Sequence, residues 1–167
     1  SYQKSLAQYL KILDNDPYHP TALMRCGHLN NLLGRHAEAR EALEVLIKLT
    51  PDDAPAQLEY AQSFYLQDKY NEALELFRKV LSLGPEEQLA RYNLSKIHAA
   101  RRDVQAQEEE LRELISISPR HLGALVDLGE LYLSRDRIYE AEEIYQKSLK
   151  FFPDSLELLF SLSKIYQ

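Results

Sequence analysis

The chain has 167 residues, a formal net charge of -6 at pH 7, one cysteine and seven prolines. That length is enough for the core of one ordinary domain. Because 26 acidic residues outnumber 20 basic ones, and no apolar run approaches the roughly 20 residues of a membrane span, we expect neither nucleic-acid binding nor membrane insertion.

Five of the prolines stand at a constant spacing of 34 residues. They are Pro17, Pro51, Pro85, Pro119 and Pro153. A fixed period of this size is typical of repeat arrays. Between successive prolines, apolar residues recur with the 3.6-residue period of an amphipathic helix. The sequence therefore predicts two short helices joined by a tight turn in each period.

In chain order, the helix pair is clearest in segments 56–67 and 69–87. Proline removes a backbone donor and disfavours helix at the preceding residue, so each second helix should end just before its proline. Pro20 and Pro55 should lie in first turns, where the missing N–H costs little. The residues after the prolines should cap the next helix or place negative charge at its start: Asp52, Asp53, Glu86, Glu87, Asp154 and Ser155.

This 34-residue unit resembles the tetratricopeptide repeat. The resemblance is most complete in residues 122–155, where Leu125, Leu128, Gly129, Tyr132, Ala141, Tyr145 and Pro153 match the pattern. It implies an all-α fold of about ten helices: an α-solenoid of stacked antiparallel helix pairs in a right-handed superhelix, whose first helices line a concave groove. We expect one array over 1–167, with complete repeats at 20–53, 54–87, 88–121 and 122–155. Residues 1–19 would form the second helix of a partial repeat, and 156–167 the first helix of another.

Small side chains recur at one place in the first helices and at one place in the second. A larger side chain there would hold the two helices of a pair apart. The repeat at 88–121 departs from this pattern because Gln107 stands at the second-helix place. Either the register slips by one residue and Ala106 makes the contact, or this junction is looser. The small residues are Gly27, Ala61, Ser95, Gly129 and Ser163 in first helices, and Ala39, Ala73 and Ala141 in second helices.

The resemblance also indicates which first-helix residues face the groove. They combine aromatic rings, amides and both signs of charge, which suits a bound peptide. The mixture does not fix the sign of a ligand's charge. The candidate peptide-binding residues are Arg25, His28, Glu59, Gln62, Tyr65, Tyr92, Asn93, Lys96, Asp127 and Glu130.

No pattern in the sequence favours catalysis, a metal or a cofactor. The five histidines occupy different places in the repeat and form no metal-binding pair. Cys26 falls at a core place of its helix, where cysteine acts as a small hydrophobe. Asn93 and Ser95 spell a glycosylation acceptor, but it falls within a helix, and we discount it.

We therefore expect a non-catalytic scaffold or adaptor that binds a peptide or protein segment in the groove. Two alternatives stay open. One is a structural or self-assembly module, a homo-oligomer formed through uncovered terminal helices, with Leu159, Leu162 and Tyr166 partly uncovered. The other is a non-catalytic arm of a larger enzyme or of an envelope secretion machine. We interpret the chain as an excerpt, with the cytoplasm as default location and any targeting signal outside it.

Overall fold

The computed structural model describes residues 1–84 and 87–166, except for the side chain of Glu87. These residues form ten α-helices and no strand, in agreement with the predicted fold class. The helices are α1 (Tyr2–Asn15), α2 (Pro20–Leu32), α3 (His36–Leu49), α4 (Ala54–Tyr65), α5 (Tyr70–Leu83), α6 (Glu87–Ala100), α7 (Val104–Ile117), α8 (Leu122–Ser134), α9 (Ile138–Leu149) and α10 (Leu156–Ile165).

The chain divides into two compact units, each described by itself. Unit 1 comprises Ser1–Ala90 and unit 2 comprises Arg91–Gln167. In unit 1, consecutive helices from α1 to α5 pack on one another, and the first helices α2 and α4 are neighbours. In unit 2, α7 to α10 pack in the same consecutive way, and α8 and α10 are neighbours. The division into four complete and two partial repeats stays our prediction.

The helices end where the prolines predict. Helices α1, α3 and α7 each end two residues before a proline of the 34-residue series, and α9 ends four residues before Pro153. The predictions made for Pro85 and Glu86, and for the side chain of Glu87, fall outside the described residues. Pro20 and Pro55 lie in the first turns of α2 and α4, as predicted.

The first helices share one capping position. Asp53 and Ser155 each accept a hydrogen bond from the backbone N–H three residues further on, which confirms two predicted caps. At the equivalent positions, His19 and His121 do the same through Nδ1, at 3.3 and 3.1 Å. The sequence analysis did not predict these histidine caps, because histidine is not among the usual N-cap residues.

The turn inside each helix pair repeats with the same backbone geometry. A positive φ occurs at Gly34, Asp68, Arg102 and Asp136, at 73°, 56°, 59° and 58°, which are 34 residues apart. The N-caps of α3, α5, α7 and α9 directly follow these residues. Helix α7 therefore starts in the same register as the other second helices. A one-residue slip is excluded, and Gln107 holds the place that alanine fills elsewhere.

Close helix contacts explain the small residues. A Cβ atom added to Gly27 would lie 2.4 Å from Leu43 Cγ, and one added to Gly129 would lie 2.3 Å from the Tyr145 ring. The alanines predicted for the second helices, Ala39, Ala73 and Ala141, are fully buried. Ser163 is exposed, and no second helix follows α10 among the described residues, so the contact predicted at Ser163 stays a prediction.

Helix α10 is partly uncovered, though less than predicted. Leu159 and Tyr166 are exposed, as expected, but Leu162 is buried in the core of unit 2. The prediction for Leu162 is wrong because this side chain belongs to the apolar cluster that contains Leu158 and buried residues of α8 and α9. Within the part of the chain that the structure describes, every helix is too short or too polar to span a membrane.

Candidate functional site

In unit 1, the predicted site residues lie on two neighbouring first helices, α2 and α4. We call their exposed side the α2–α4 surface. Arg25 is exposed on α2, and His28 is half-buried one turn further along. Glu59, Gln62 and Tyr65 are half-buried on α4. The structure therefore brings the five predicted residues of this unit to one pair of helices.

A cavity of about 530 Å³ opens on the α2–α4 surface. Its apolar part includes Met24 and the buried side chains of Leu46 and Leu58. Arg25 contributes a positive charge, and it has no hydrogen bond or ion pair with another described residue. The remaining lining residues are Pro20, Thr21, His28, Asp53, Pro55 and Glu59. This arrangement can accept an apolar side chain and, through Arg25, an acceptor group next to it.

Glu59 is held by contacts to α2. Its Oε1 lies 2.7 Å from His28 Nδ1, and Asn31 Nδ2 donates to its Oε2 at 3.2 Å and to its backbone oxygen at 3.0 Å. His36 in turn lies 3.4 Å from Asn31 Oδ1. The sequence analysis missed Asn31, although an asparagine one turn after His28 on the same face of α2 was a usable signal. Glu59 thus joins two first helices.

In unit 2, the predicted residues lie on α6 and α8. Lys96 Nζ lies 2.9 and 2.7 Å from the two carboxylate oxygens of Asp127, and 5.1 Å from the centre of the Tyr92 ring. Burial lowers the pKa of Lys96, but the hydrogen bond to Asp127 and its charge outweigh burial and leave that pKa above its usual value. Lys96 therefore stays protonated and binds α6 to α8. Asn93 and Glu130 complete the predicted set.

The Tyr92 ring packs beside this ion pair. It contacts the ring of His121 at 4.8 Å between centroids, and a Cβ atom on Gly123 would lie 2.7 Å from its hydroxyl. Burial, followed by the charge of Asp127, raises the pKa of Tyr92 above its usual value. Tyr92 is therefore a half-buried packing residue.

The two side-chain pairs occupy equivalent places in the repeat. His28 and Glu59 are 31 residues apart, as are Lys96 and Asp127, and the second pair follows the first by two 34-residue periods. Each pair joins a first helix to the next one. The predicted binding residues His28, Glu59, Lys96 and Asp127 therefore contact one another in pairs within the chain. Arg25 and Glu130 have no such partner among the described residues.

A second cavity, of about 300 Å³, opens in unit 2. It lies among α6, α7 and α8, and it includes Gln107, the residue that departs from the small-residue pattern. The sequence analysis did not assign Gln107 to a site. The lining consists of Lys96, Ala99, Gln107, Asp127, Glu130, Leu131 and Ser134.

Metal ligation and the reactivity of the cysteine can be assessed on the described residues. No group of three or more His, Cys, Asp or Glu side chains among them is placed to hold a metal. Cys26 is buried, and burial raises the pKa of its thiol, which disfavours the reactive thiolate. Ser95 is buried and donates to the Tyr92 backbone oxygen, so the Asn93–Ser95 tripeptide lies in a packed helix.

Stacked helix pairs with a 34-residue period define a helical-repeat protein. Family models described as tetratricopeptide repeat match residues 1–54 and 58–121, and residues 122–155. The chain belongs to the tetratricopeptide repeat family. A comparison with curated protein sequences gave no match.

Solved structures share this fold at low sequence identity. MamA from Desulfovibrio magneticus RS-1 has a TM-score of 0.81 at 18% identity, covering 93% of this chain and 88% of that one. PilW, described as a widely conserved type IV pilus biogenesis factor, has a TM-score of 0.83 at 18% identity, covering 98% and 76%. YrrB, described as a TPR protein with an unusual peptide-binding site, has a TM-score of 0.74 at 14% identity, covering 95% and 81%. The family and fold place the chain in the general class of protein-interaction scaffolds.

Proposed function

We propose that the protein is a non-catalytic scaffold that binds a peptide or protein segment on the exposed sides of its first helices. The observation that carries this proposal is the cavity on the α2–α4 surface. It combines an apolar lining with a cation, Arg25, that has no partner among the described residues. Its volume of about 530 Å³ falls in the range of sites that take side chains or small ligands.

The contacts around Glu59 support a preformed site. Because His28 and Asn31 fix Glu59 from α2, the side of the cavity between α2 and α4 does not need to be ordered by the ligand. Preorganisation of this kind lowers the entropic cost of binding. Arg25 supplies five N–H donors and suits a carboxylate or a backbone carbonyl of the bound segment. The description of YrrB as having a peptide-binding site adds support from the same fold.

The test is a selection of dodecapeptides from a random phage-displayed library on the 167-residue chain, followed by fluorescence-polarisation titration of the selected peptides. We expect Arg25→Glu to weaken their binding about tenfold or more, since the cation of the cavity becomes an anion. Lys11→Glu is the matched control, because it makes the same charge change at an exposed site of α1 away from the cavity. Selected peptides that bind Arg25→Glu and wild type equally would contradict the proposal.

Two alternatives stay predictions. One is self-assembly through α1 and α10, and the other is a non-catalytic arm in a larger enzyme or envelope machine.

A further inference from the structure

We infer that the unit 2 cavity binds a basic side chain of the partner segment, with arginine fitting better than lysine. This inference rests on the proposed function and adds the chemistry of one ligand residue to it. It is carried by the charge, the hydrogen-bonding groups and the shape of the cavity that α6, α7 and α8 form.

The charge of the cavity favours a cation. Lys96 contacts both carboxylate oxygens of Asp127, so these two charges neutralise each other. Glu130 is exposed and has no hydrogen bond or ion pair with another described residue. The lining therefore keeps one uncompensated negative charge. A bound cation gains a charge-assisted hydrogen bond there, whereas a bound carboxylate is repelled.

The neutral polar groups that line the cavity can also accept hydrogen bonds from such a ligand. The Gln107 amide has no partner among the residues that the structure describes. The Ser134 hydroxyl donates its proton to the Leu131 backbone oxygen, so its own oxygen is left to accept. A planar guanidinium with five donors can serve Glu130, Gln107 and Ser134 together, while an ammonium has three donors on a single atom. This difference is why we favour arginine.

The rest of the lining suits the aliphatic stem of such a side chain. Ala99 and Leu131 provide apolar surface, and Leu131 is only 7% exposed. Long basic side chains bind in this way, with the methylene groups on apolar surface and the charged head on polar groups. A volume of about 300 Å³ holds one such side chain with a few waters.

Gln107 gives this cavity an amide that the equivalent places of the other repeats lack. The equivalent residues Ala39, Ala73 and Ala141 are fully buried and provide only a methyl group. Gln107 keeps the register of α7 and brings an amide to the cavity instead. A half-buried amide at this place suits a ligand with hydrogen-bond donors better than the buried methyl group of the other repeats does.

The test is a titration of the isotope-labelled chain with Nα-acetyl-arginine amide, followed by backbone amide NMR shifts. Nα-acetyl-citrulline amide, which is neutral and nearly isosteric, and Nα-acetyl-lysine amide are titrated in parallel. We expect saturating shifts around Gln107, Glu130 and Ser134 with the arginine probe, weaker ones with lysine, and none with citrulline. Glu130→Gln should weaken arginine binding about tenfold, and Gln107→Ala about threefold.

Two controls separate binding from folding. Glu113→Gln makes the same charge change at an exposed residue of α7 outside the cavity, and it should leave the titration unchanged. Gln107→Ala restores the residue of the other repeats, so its melting temperature should be equal to or above that of wild type while its binding falls. A loss of binding with a gain of stability is not explained by unfolding.

The inference is overturned if the arginine probe causes no shifts in the cavity, if citrulline causes the same shifts, or if Glu130→Gln binds arginine as wild type does. Stronger binding of lysine than of arginine overturns the preference we assign. These outcomes leave the proposed function testable by itself, because the dodecapeptide selection depends on Arg25 in unit 1. If the selection fails while the arginine probe binds, the proposed function fails and the cavity chemistry stands.

Discussion

Arg102 shows how one backbone conformation is shared by residues of different types. The turn between helices requires a left-handed residue every 34 positions, and only Gly34 meets this need without a steric cost. For other L-residues the left-handed region costs roughly 1–2 kcal/mol. The strain therefore falls mainly on Arg102, because aspartate, which stands at positions 68 and 136, tolerates the left-handed region better than arginine does.

Replacing Arg102 with glycine should relieve that strain. Glycine also gains freedom in the unfolded chain, which offsets part of the benefit, so we expect Arg102→Gly to stabilise the protein by about 0.5 kcal/mol. Gly34→Ala is the converse change and should destabilise by about 1 kcal/mol. Urea unfolding followed by far-UV circular dichroism measures both. A destabilised Arg102→Gly variant would show that the arginine side chain contributes more to stability than the relief of backbone strain does.

Tyr145 should make stability depend on alkaline pH. Burial against Gly129 is the main cause that raises the pKa of its phenol from 10 to about 12. The unfolded chain ionises at the lower value, so the folded state holds the proton longer. The contribution of the protonated Tyr145 phenol to the free energy of unfolding is complete below pH 10. It is lost as the pH rises through about 12. We expect the wild type to lose more stability than Tyr145→Phe between about pH 9 and 11.5. Parallel pH profiles of the two proteins would contradict this assignment.

At the level of helices, several residues that the sequence suggested for ligand binding instead contact each other across neighbouring first helices. Lys96 and Asp127 were both candidates for ligand binding, but they bind each other across α6 and α8. Because the Asp127 side chain is only 16% exposed, leaving it without Lys96 is costly. Substitutions here therefore change stability as well as any binding.

Charge reversal should separate the paired residue from the unpaired one. Lys96→Glu places a second carboxylate beside Asp127, and we expect it to destabilise the protein by roughly 1–3 kcal/mol. Glu130→Lys should change stability by no more than about 0.5 kcal/mol, because Glu130 is exposed. Thermal unfolding of the two variants provides the comparison. Equal melting temperatures would mean that the Lys96–Asp127 contact contributes little in solution.

For the protein as a scaffold, the two units offer different chemistry on equivalent helices. The α2–α4 surface of unit 1 carries the unpaired cation Arg25, whereas the cavity of unit 2 carries the unpaired anion Glu130. The candidate residues in the sequence carry both signs of charge, which leaves the sign of the ligand's charge open. Glu59, Lys96 and Asp127 are held by contacts within the chain, which leaves Arg25 and Glu130 as the unpaired charges of the candidate set. Under our proposals, specificity depends on a few such residues, as is usual at protein interfaces.

The sequence by itself determined the helix pairs, their 34-residue period and most of their close contacts. Helix periodicity, prolines after helix ends and small residues such as Gly27 and Gly129 encode these features locally or at a fixed spacing. Where a neighbouring helix decides burial, the sequence is a weaker guide: Leu162 is buried in the core of unit 2 instead of being uncovered. Only the tertiary structure decided that His28 pairs with Glu59 and Lys96 with Asp127, and that Gln107 lines a cavity. The physical reason is that these partners lie on different helices, so their distances depend on how the helices pack, which the repeat pattern does not specify.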